Sequence, residues 1–278
     1  FFFTQTTAYP ILSGLVGSEM CIRDRYKKYG GNTPCVEVRC NDRILIFDAG
    51  TGLRPLGNSM SMEGNTEADI FFSHAHLDHI GGLPFFGPAF NPRNSLRIWS
   101  GPLENAGSMK EVFRSLMSAP LFPVPVEIFN AQIEYNTIEV GQVIAISDEI
   151  EILTTNLNHP QGAVGYRVNF NGKSICYISD TEHRSEVVDT DIKNLVTGAD
   201  VVIYDATYTD EEYPNYVGWG HSTWREGIKL CEAASADKLV IFHHDPSHND
   251  QIMDDIAETA EAERPGTLVA KEGMVILL

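Results

Sequence analysis

The 278-residue chain reads as an α/β protein in which one domain carries two β-sheets. Three observations predict that class. Short apolar runs of strand length, punctuated by turn residues, recur from Tyr26 to the C-terminus. Strand patterns dominate the first half, whereas strand and helix alternate in the second. No short-period repeat, low-complexity tract or linker-like run divides the chain. With 43% hydrophobic and 21% charged residues, the composition is that of a globular domain long enough to bury a sizeable core.

In chain order, strands are predicted over residues 34–40, 43–48, 69–73, 96–100, 127–135, 149–154, 165–170, 173–179, 200–204, 238–243 and 274–278. Helices are predicted over 109–118, 187–196, 224–235 and 250–262. Thr223 and Glu226 have capping-box spacing, which marks the start of the third helix. Three prolines in Pro120–Pro125 (PLFPVP) exclude a central strand and predict an extended surface segment, a candidate lid.

Residues 1–25 start without Met and lack the basic and apolar regions of a signal peptide. Their stretch 12–25, LSGLVGSEMCIRDR, resembles a translated sequencing-adapter scar. Residues 1–25 are therefore set apart as a non-native segment, and 26–278 are taken as the functional domain.

Lys and Arg number 20 against 38 Asp and Glu, a net charge of −18 that repels phosphate polymers and disfavours extended nucleic-acid binding. No run approaches the roughly 18 apolar residues of a membrane span. Five dispersed cysteines without C-x-x-C spacing fit reduced thiols and a cytoplasmic protein.

The chemistry is concentrated after the strand 69–73, in His74-Ala75-His76-Leu77-Asp78-His79. Imidazoles and a carboxylate at this density suit a divalent metal, because neutral His and carboxylate oxygen are ligands for zinc, manganese and iron. A strand-end loop turns alternate side chains to one side, so His74 and His76 are expected to share one metal and Asp78 and His79 a second.

This H-x-H-x-D-H pattern resembles the metal-binding motif of the metallo-β-lactamase superfamily, and the resemblance extends from Tyr26 to the C-terminus. It implies a four-layer αββα sandwich of two mixed sheets flanked by helices. It also implies a third histidine, a metal-bridging aspartate and a late histidine. His159 in Leu157-Asn158-His159-Pro160 matches the first and Asp180 in Ser179-Asp180-Thr181 the second, although an Asp alone there also suits a helix N-cap. Phe242-His243-His244 offers two late candidates. Strand register favours His243 and leaves His244 to an outer role or to substrate.

Gly220-His221-Ser222-Thr223, Gly165-Tyr166-Arg167-Val168 and Asp205-Ala206-Thr207 are similar to the ribonuclease Z branch. That likeness implies His221 as proton donor to a leaving oxygen and Asp205 as the carboxylate that orients it. Glutamate is usual at the Asp205 position, so the shorter side chain raises the question of its reach. The long basic arm with which ribonuclease Z grips transfer RNA has no counterpart, and the loop 208–220, YTDEEYPNYVGWG, is acidic and aromatic. These features point to a small phosphodiester such as a cyclic nucleotide, with Tyr216 and Trp219 as base-stacking candidates. Related bacterial hydrolases begin with a Gly-rich strand, which residues 1–25 are expected to have overwritten.

The resemblance thus implies a hydrolase with two divalent ions, zinc before manganese or iron, whose bridging water attacks phosphorus while Asp78 ligates and accepts a proton. Lactone, thioester or sulfate ester hydrolysis and a non-catalytic metal-binding sensor are the alternatives, since a fold does not fix a substrate. Homodimers are common in the superfamily.

Overall fold

The computed structural model describes residues 2–5, 25–103, 107–184 and 188–278, with residues 2–5 as backbone only. The chain divides into two compact units, each built on one seven-stranded sheet.

The first unit comprises Asn32–Glu139 together with Phe2–Gln5 and Gly273–Leu277. Its strands are β1 (Phe2–Gln5), β2 (Val36–Cys40), β3 (Arg43–Phe47), β4 (Glu67–Phe72), β5 (Ser95–Ser100), β6 (Gln132–Thr137) and β14 (Val275–Leu277), ordered β14-β1-β2-β3-β4-β5-β6. The run β3 to β6 is parallel. The inner strand β4 is accordingly apolar on both faces over Ile70–Phe72, all buried, while β5 and β6 toward the edge alternate. Helix α1 (Leu53–Glu63) buries Leu53, Leu56, Gly57 and Met60 at the spacing of one helical face. Helix α3 (Met109–Leu116) opens with a complete capping box between Ser108 and Glu111, preceded in the chain by the single-turn α2 (Leu77–Ile80).

Residues 1–25, expected to have overwritten a first Gly-rich strand, nonetheless supply a strand in that position. Phe2–Gln5 occupy the slot between β14 and β2, pairing antiparallel with both. Most of the adapter-like stretch, residues 12–24, lies outside the described residues. The segment Pro120–Pro125 runs without a strand, with Leu121 74% exposed and Phe122 edge-on to Phe85 at 5.7 Å.

The second unit comprises Val140–Glu272 and residues 25–31. Its strands are β7 (Ile144–Ala145), β8 (Ile150–Leu157), β9 (Ala163–Phe170), β10 (Lys173–Ile178), β11 (Val201–Asp205), β12 (Lys238–Phe242) and β13 (Leu268–Val269), ordered β13-β12-β11-β10-β9-β8-β7. β10, β11, β12 and β13 run parallel, while β9 is antiparallel to both β8 and β10. β8 therefore points the same way as β10, so the C-terminal ends of β8, β10, β11 and β12 gather at one edge. Helices α4 (Thr190–Val196), α5 (Trp224–Ala233) and α6 (Asp250–Glu263) pack Ile192, Leu195, Ile228, Cys231, Met253 and Ile256 into one core with Val202, Leu239 and Ile241 of the sheet.

Thr223 caps α5 by accepting from the Glu226 N–H at 3.4 Å. The reciprocal half of the expected capping box is absent from that cap, because the Glu226 carboxylate pairs with Lys229 at 2.6 Å. The predicted helix 187–196 begins on a residue outside the described ones, and its described helical part is Thr190–Val196. Among the described residues, no helix is long and apolar enough to cross a membrane.

Candidate metal centre

Each unit carries one cluster of chemically able side chains at strand C-termini, where open α/β sheets place their ligands. In the first unit, β4 delivers Ser73 and His74, and α2 follows with Asp78 and His79 in its single turn. The neighbouring strand β3 is followed by Asp48, a fully buried carboxylate in the left-handed region at φ 58°. Asp48 organises the cluster. Its Oδ1 accepts from the Ser73 N–H at 2.7 Å, and its Oδ2 accepts from the Ser73 hydroxyl at 2.7 Å and from His79 Nδ1 at 2.8 Å. Since the Ser73 proton goes to Asp48, the Ser73 oxygen receives the Nδ1 proton of His74 at 3.0 Å. His74 and His79 are thereby held as Nδ1–H tautomers whose lone pair sits on Nε2. The rings of His76 and His79 each lie 4.3 Å from that of His74, and His79 Nε2 is 3.2 Å from Asp78 Oδ2.

The backbone around this cluster permits no side chain at two points. A Cβ on Gly50 would lie 2.3 Å from the Asp78 carbonyl oxygen, and one on Gly82 would lie 1.9 Å from that of Gly50. The Ala-Gly-Thr-Gly turn thus lies directly on the histidine loop, joined by Ala49 N–H to His79 O at 2.7 Å and Gly82 N–H to Ala49 O at 2.8 Å.

In the second unit, His159 follows β8, Asp180 follows β10, Asp205 ends β11 and His243 follows β12. His159, Asp180 and His221 offer ligand atoms all within 4.8 Å of one another, as do Asp205, His221 and His243. Asp180 Oδ1 lies 3.3 Å from His243 Nε2 and Oδ2 lies 3.7 Å from His159 Nε2. Asp180 caps no helix. Its Oδ1 accepts from the Ser179 hydroxyl at 2.7 Å.

The tautomer logic repeats here. His159 Nδ1–H donates to the Gly220 carbonyl at 2.8 Å. The Thr207 hydroxyl contacts Asp205 Oδ1 at 2.8 Å and the His243 carbonyl at 2.9 Å, both acceptors, so its oxygen receives the His243 Nδ1 proton at 3.1 Å. In both rings Nε2 carries the lone pair and faces an Asp180 oxygen. Lone pairs and carboxylate oxygens at 3.3–3.7 Å repel unless a cation or proton lies among them, so the donor set fits a divalent metal.

Asp205 reaches His221 despite being one methylene shorter than glutamate, with Oδ2 2.9 Å from Nδ1. The remaining Asp205 acceptor sites take the Thr181 N–H at 3.0 Å, the Thr207 N–H at 3.1 Å and the Thr207 hydroxyl. Burial pushes the His221 imidazole down, but the charge and hydrogen bond of Asp205 outweigh it and the pKa is raised above its ordinary value. A raised histidine is a proton donor near neutrality. Its ring lies 5.1 Å from His243 and 5.3 Å from His159.

His244 is not brought into this group. It turns Nε2 to the Ala270 carbonyl at 2.9 Å, and burial pushes its pKa down to about 4. Tyr216 stacks on Tyr208 at 4.4 Å, Trp219 meets Tyr216 edge-on at 5.4 Å, and Trp219 is 63% exposed. Sequence reasoning missed Asp48, Ser73, Thr207 and Glu182, each of which has a decisive partner distant in the chain: Asp48 pairs with Ser73 and His79, Thr207 with His243, and Glu182 with Tyr213, Gly218 and Gly220. The available signal was Asp48 closing a strand before a glycine-rich turn.

Residues 43–244 match the β-lactamase superfamily domain. Ribonuclease Z of Haloarcula marismortui is 23% identical over 295 residues, spanning 87% of this chain and 90% of that protein. Ribonuclease Z of Gemmatimonas aurantiaca is 25% identical over 285 residues, spanning 84% and 86%. Among solved structures, the metallo-β-lactamase fold protein YhfI from Bacillus subtilis superposes with a TM-score of 0.69 over 99% of both chains at 17% identity. Zn²⁺-bound PqqB from Methylobacterium extorquens does so at 0.67 over all of both chains with 16% identity. A diphosphatase of the PhnP family gives 0.65 over 100% of this chain and 97% of that one at 18% identity. Two mixed sheets, a histidine-rich loop behind the fourth strand and a match over residues 43–244 lead to one conclusion: the chain belongs to the β-lactamase superfamily and is a hydrolase of the metallo-β-lactamase fold.

Proposed function

We propose that the protein is a dinuclear metal-dependent phosphodiesterase acting on a small phosphodiester such as a cyclic nucleotide. The observation that carries this reading is the His221–Asp205 pair at 2.9 Å, a raised imidazole set beside the Asp180–His243 carboxylate–histidine pair. Such a donor is needed where an alkoxide must depart and is superfluous where the leaving group is already stable. The names of the similar ribonuclease Z proteins and of the PhnP-family diphosphatase support phosphorus as the centre attacked.

The proposed ligands, following the family pattern, are His74, His76, His159, Asp180, Asp78, His79 and His243. Divalent ions held there, two in number with zinc first and manganese or iron as alternates, would supply Lewis acidity toward the phosphoryl oxygens and lower the pKa of a water. Asp78 is the residue placed to take up the proton of the attacking water. His221 protonates the departing oxygen from Nε2, while Asp205 holds Nδ1 and stabilises the imidazolium. Tyr216 and exposed Trp219 offer ring faces to a base, and His244, turned to Ala270, is assigned no substrate contact. The net charge of −18 and the acidic loop favour a small substrate over an extended RNA.

The test is hydrolysis of bis(p-nitrophenyl) phosphate and of 2′,3′- and 3′,5′-cyclic nucleotides by metal-analysed protein, beside Asp78→Ala and His221→Ala. Asp78→Ala is expected to abolish turnover of all three, and His221→Ala to spare the nitrophenyl ester most. Full metal occupancy without phosphodiester turnover would refute the reading and turn attention to lactones, thioesters and sulfate esters.

A further inference from the structure

Glu182 lies two residues after Asp180 and belongs to neither the proposed ligands nor the acid pair. Its carboxylate gathers three donors from the aromatic loop. Oε1 accepts from the Tyr213 hydroxyl at 2.9 Å and the Gly218 N–H at 2.8 Å, and Oε2 accepts from the Gly220 N–H at 2.9 Å, with Gly218 also 3.0 Å away. Gly218 and Gly220 are both left-handed, at φ 88° and 87°, which turns their N–H groups into one concavity of the kind that receives an anion. The Glu182 backbone is anchored in turn. Its N–H donates to the Asn158 carbonyl and its carbonyl accepts from Asn158 Nδ2, both at 2.8 Å.

Gly220 joins this clamp to the chemistry. Its N–H belongs to Glu182, its carbonyl receives the His159 Nδ1 proton at 2.8 Å, and the next residue is His221. A Cβ at Gly220 would lie 2.3 Å from Pro160 Cδ and 2.4 Å from His159 Nδ1, so the loop lies flat on the His159-Pro160 turn. We propose that Glu182 is a positioning residue: by drawing residues 213–220 onto the Asp180 strand end, it fixes both the Gly220 carbonyl that orients His159 and the point from which His221 projects. The same clamp holds Tyr216 and Trp219 in place as a stacking platform. The consequence for leaving groups rests on the phosphodiesterase reading. The consequence for His159 does not.

Three full-length proteins decide the matter: wild type, Glu182→Ala and Glu182→Gln. Glutamine keeps the Tyr213 contact by donating from an NH₂ in place of Oε1, and keeps the Gly220 contact and the 3.0 Å Gly218 contact through its carbonyl oxygen, while its NH₂ faces the Gly218 N–H in place of the 2.8 Å bond. It is therefore the partly rescuing variant, and alanine the disabling one. In metal-free protein, solvent exchange of the His159 Nδ1 proton, followed by NMR and assigned with His159→Ala, is expected to speed up at least about tenfold in Glu182→Ala and by clearly less in Glu182→Gln. Zinc affinity is expected to fall by about tenfold in the alanine variant, as for other residues that orient a ligand from behind. The rate on a cyclic nucleotide, which releases an alkoxide, should fall about tenfold further than that on bis(p-nitrophenyl) phosphate. Unchanged Nδ1 exchange together with an unchanged ratio of the two rates in folded Glu182→Ala would overturn the proposal and reduce Glu182 to a loop anchor. If Glu182→Ala does not fold, Glu182→Asp, which keeps the charge and draws it back from the glycine N–H groups, is read by the same three criteria. Absence of phosphodiester turnover in wild type would sink the functional reading, while the exchange measurement would still judge Glu182.

Discussion

Replacing Asp205 by asparagine tests the acid pair at its anchor. The native carboxylate is fully buried and accepts four contacts, from Thr207 N–H and hydroxyl on Oδ1 and from Thr181 N–H and His221 Nδ1 on Oδ2. An amide can keep the His221 and Thr181 contacts only by aiming its NH₂ at Thr207. The Thr207 hydroxyl escapes by donating to the His243 carbonyl at 2.9 Å, but the Thr207 N–H is left facing a donor. One buried donor without an acceptor costs about 1–3 kcal/mol, which is the expected loss of stability in urea unfolding. The larger effect is electrostatic. With the Asp205 charge removed, burial is no longer outweighed and the His221 pKa falls, so the alkaline limb of the pH–rate profile moves to lower pH. Turnover of a cyclic nucleotide at pH 8 should fall by about 10²–10⁴, the range for a general acid. The sign on stability is also fixed. A histidine raised in the folded state contributes stability that is fully present below its unfolded pKa of about 6.5 and is lost as pH rises through the folded value. The stability gap between wild type and Asp205→Asn should therefore narrow in alkali. An alkaline limb that overlays wild type, with kcat/KM changed less than about twofold, would refute the assignment of His221 as proton donor.

Asp48→Ala should weaken zinc binding by about 10–100-fold in a metal titration, because His79 and Ser73 lose the acceptor that orients them. Gly220→Ala should lower both metal content and melting temperature, since its Cβ has no room beside Pro160 and His159 and its φ of 87° strains any other residue. For His244 the direction is opposite to that of His221. Burial holds it neutral down to about 4, so its contribution to stability is present above the unfolded pKa of about 6.5 and is lost as pH falls through the window to about 4. His244→Asn should flatten the acid slope of metal-free stability, measured by urea unfolding between pH 6.5 and 4.5.

Most strands and the histidine loop were legible because each is a local signal. Ile70–Phe72 is a continuous apolar run of the kind a doubly covered parallel strand requires, and His74 to His79 places its donors within six residues. Helix α1 escaped prediction although Leu53, Leu56 and Met60 keep helical spacing, because Pro55, Gly57 and the serines Ser59 and Ser61 dilute the pattern. Pro55 is tolerated in the first turn, and Gly57 is there because a Cβ would come within 2.7 Å of Phe86. Strand β6 begins five residues later than expected, since the 3₁₀ turn Val126–Ile128 follows Pro125. The residues behind the ligands were not legible for a different reason. Asp48 is 31 positions from His79 and Thr207 is 36 from His243, and nothing in either segment announces its partner.

Asp48, Asp180 and His243 share one trait: each leaves its strand with positive φ, at 58°, 57° and 60°. For a residue other than glycine this geometry costs about 1 kcal/mol. The bend exists before any ion arrives, so its cost falls on the folding equilibrium and not on metal affinity. Roughly 3 kcal/mol of fold stability is thus tied to three positions that keep the site shaped while it is empty. A glycine at Asp180 or His243 would relax the backbone even as it removed a proposed metal donor, whereas at Asp48 the relief would be outweighed by the buried Ser73 and His79 donors left without an acceptor. Stability selection applied to this protein without selection for activity is expected to erode its chemistry first at the Asp180 and His243 strand ends.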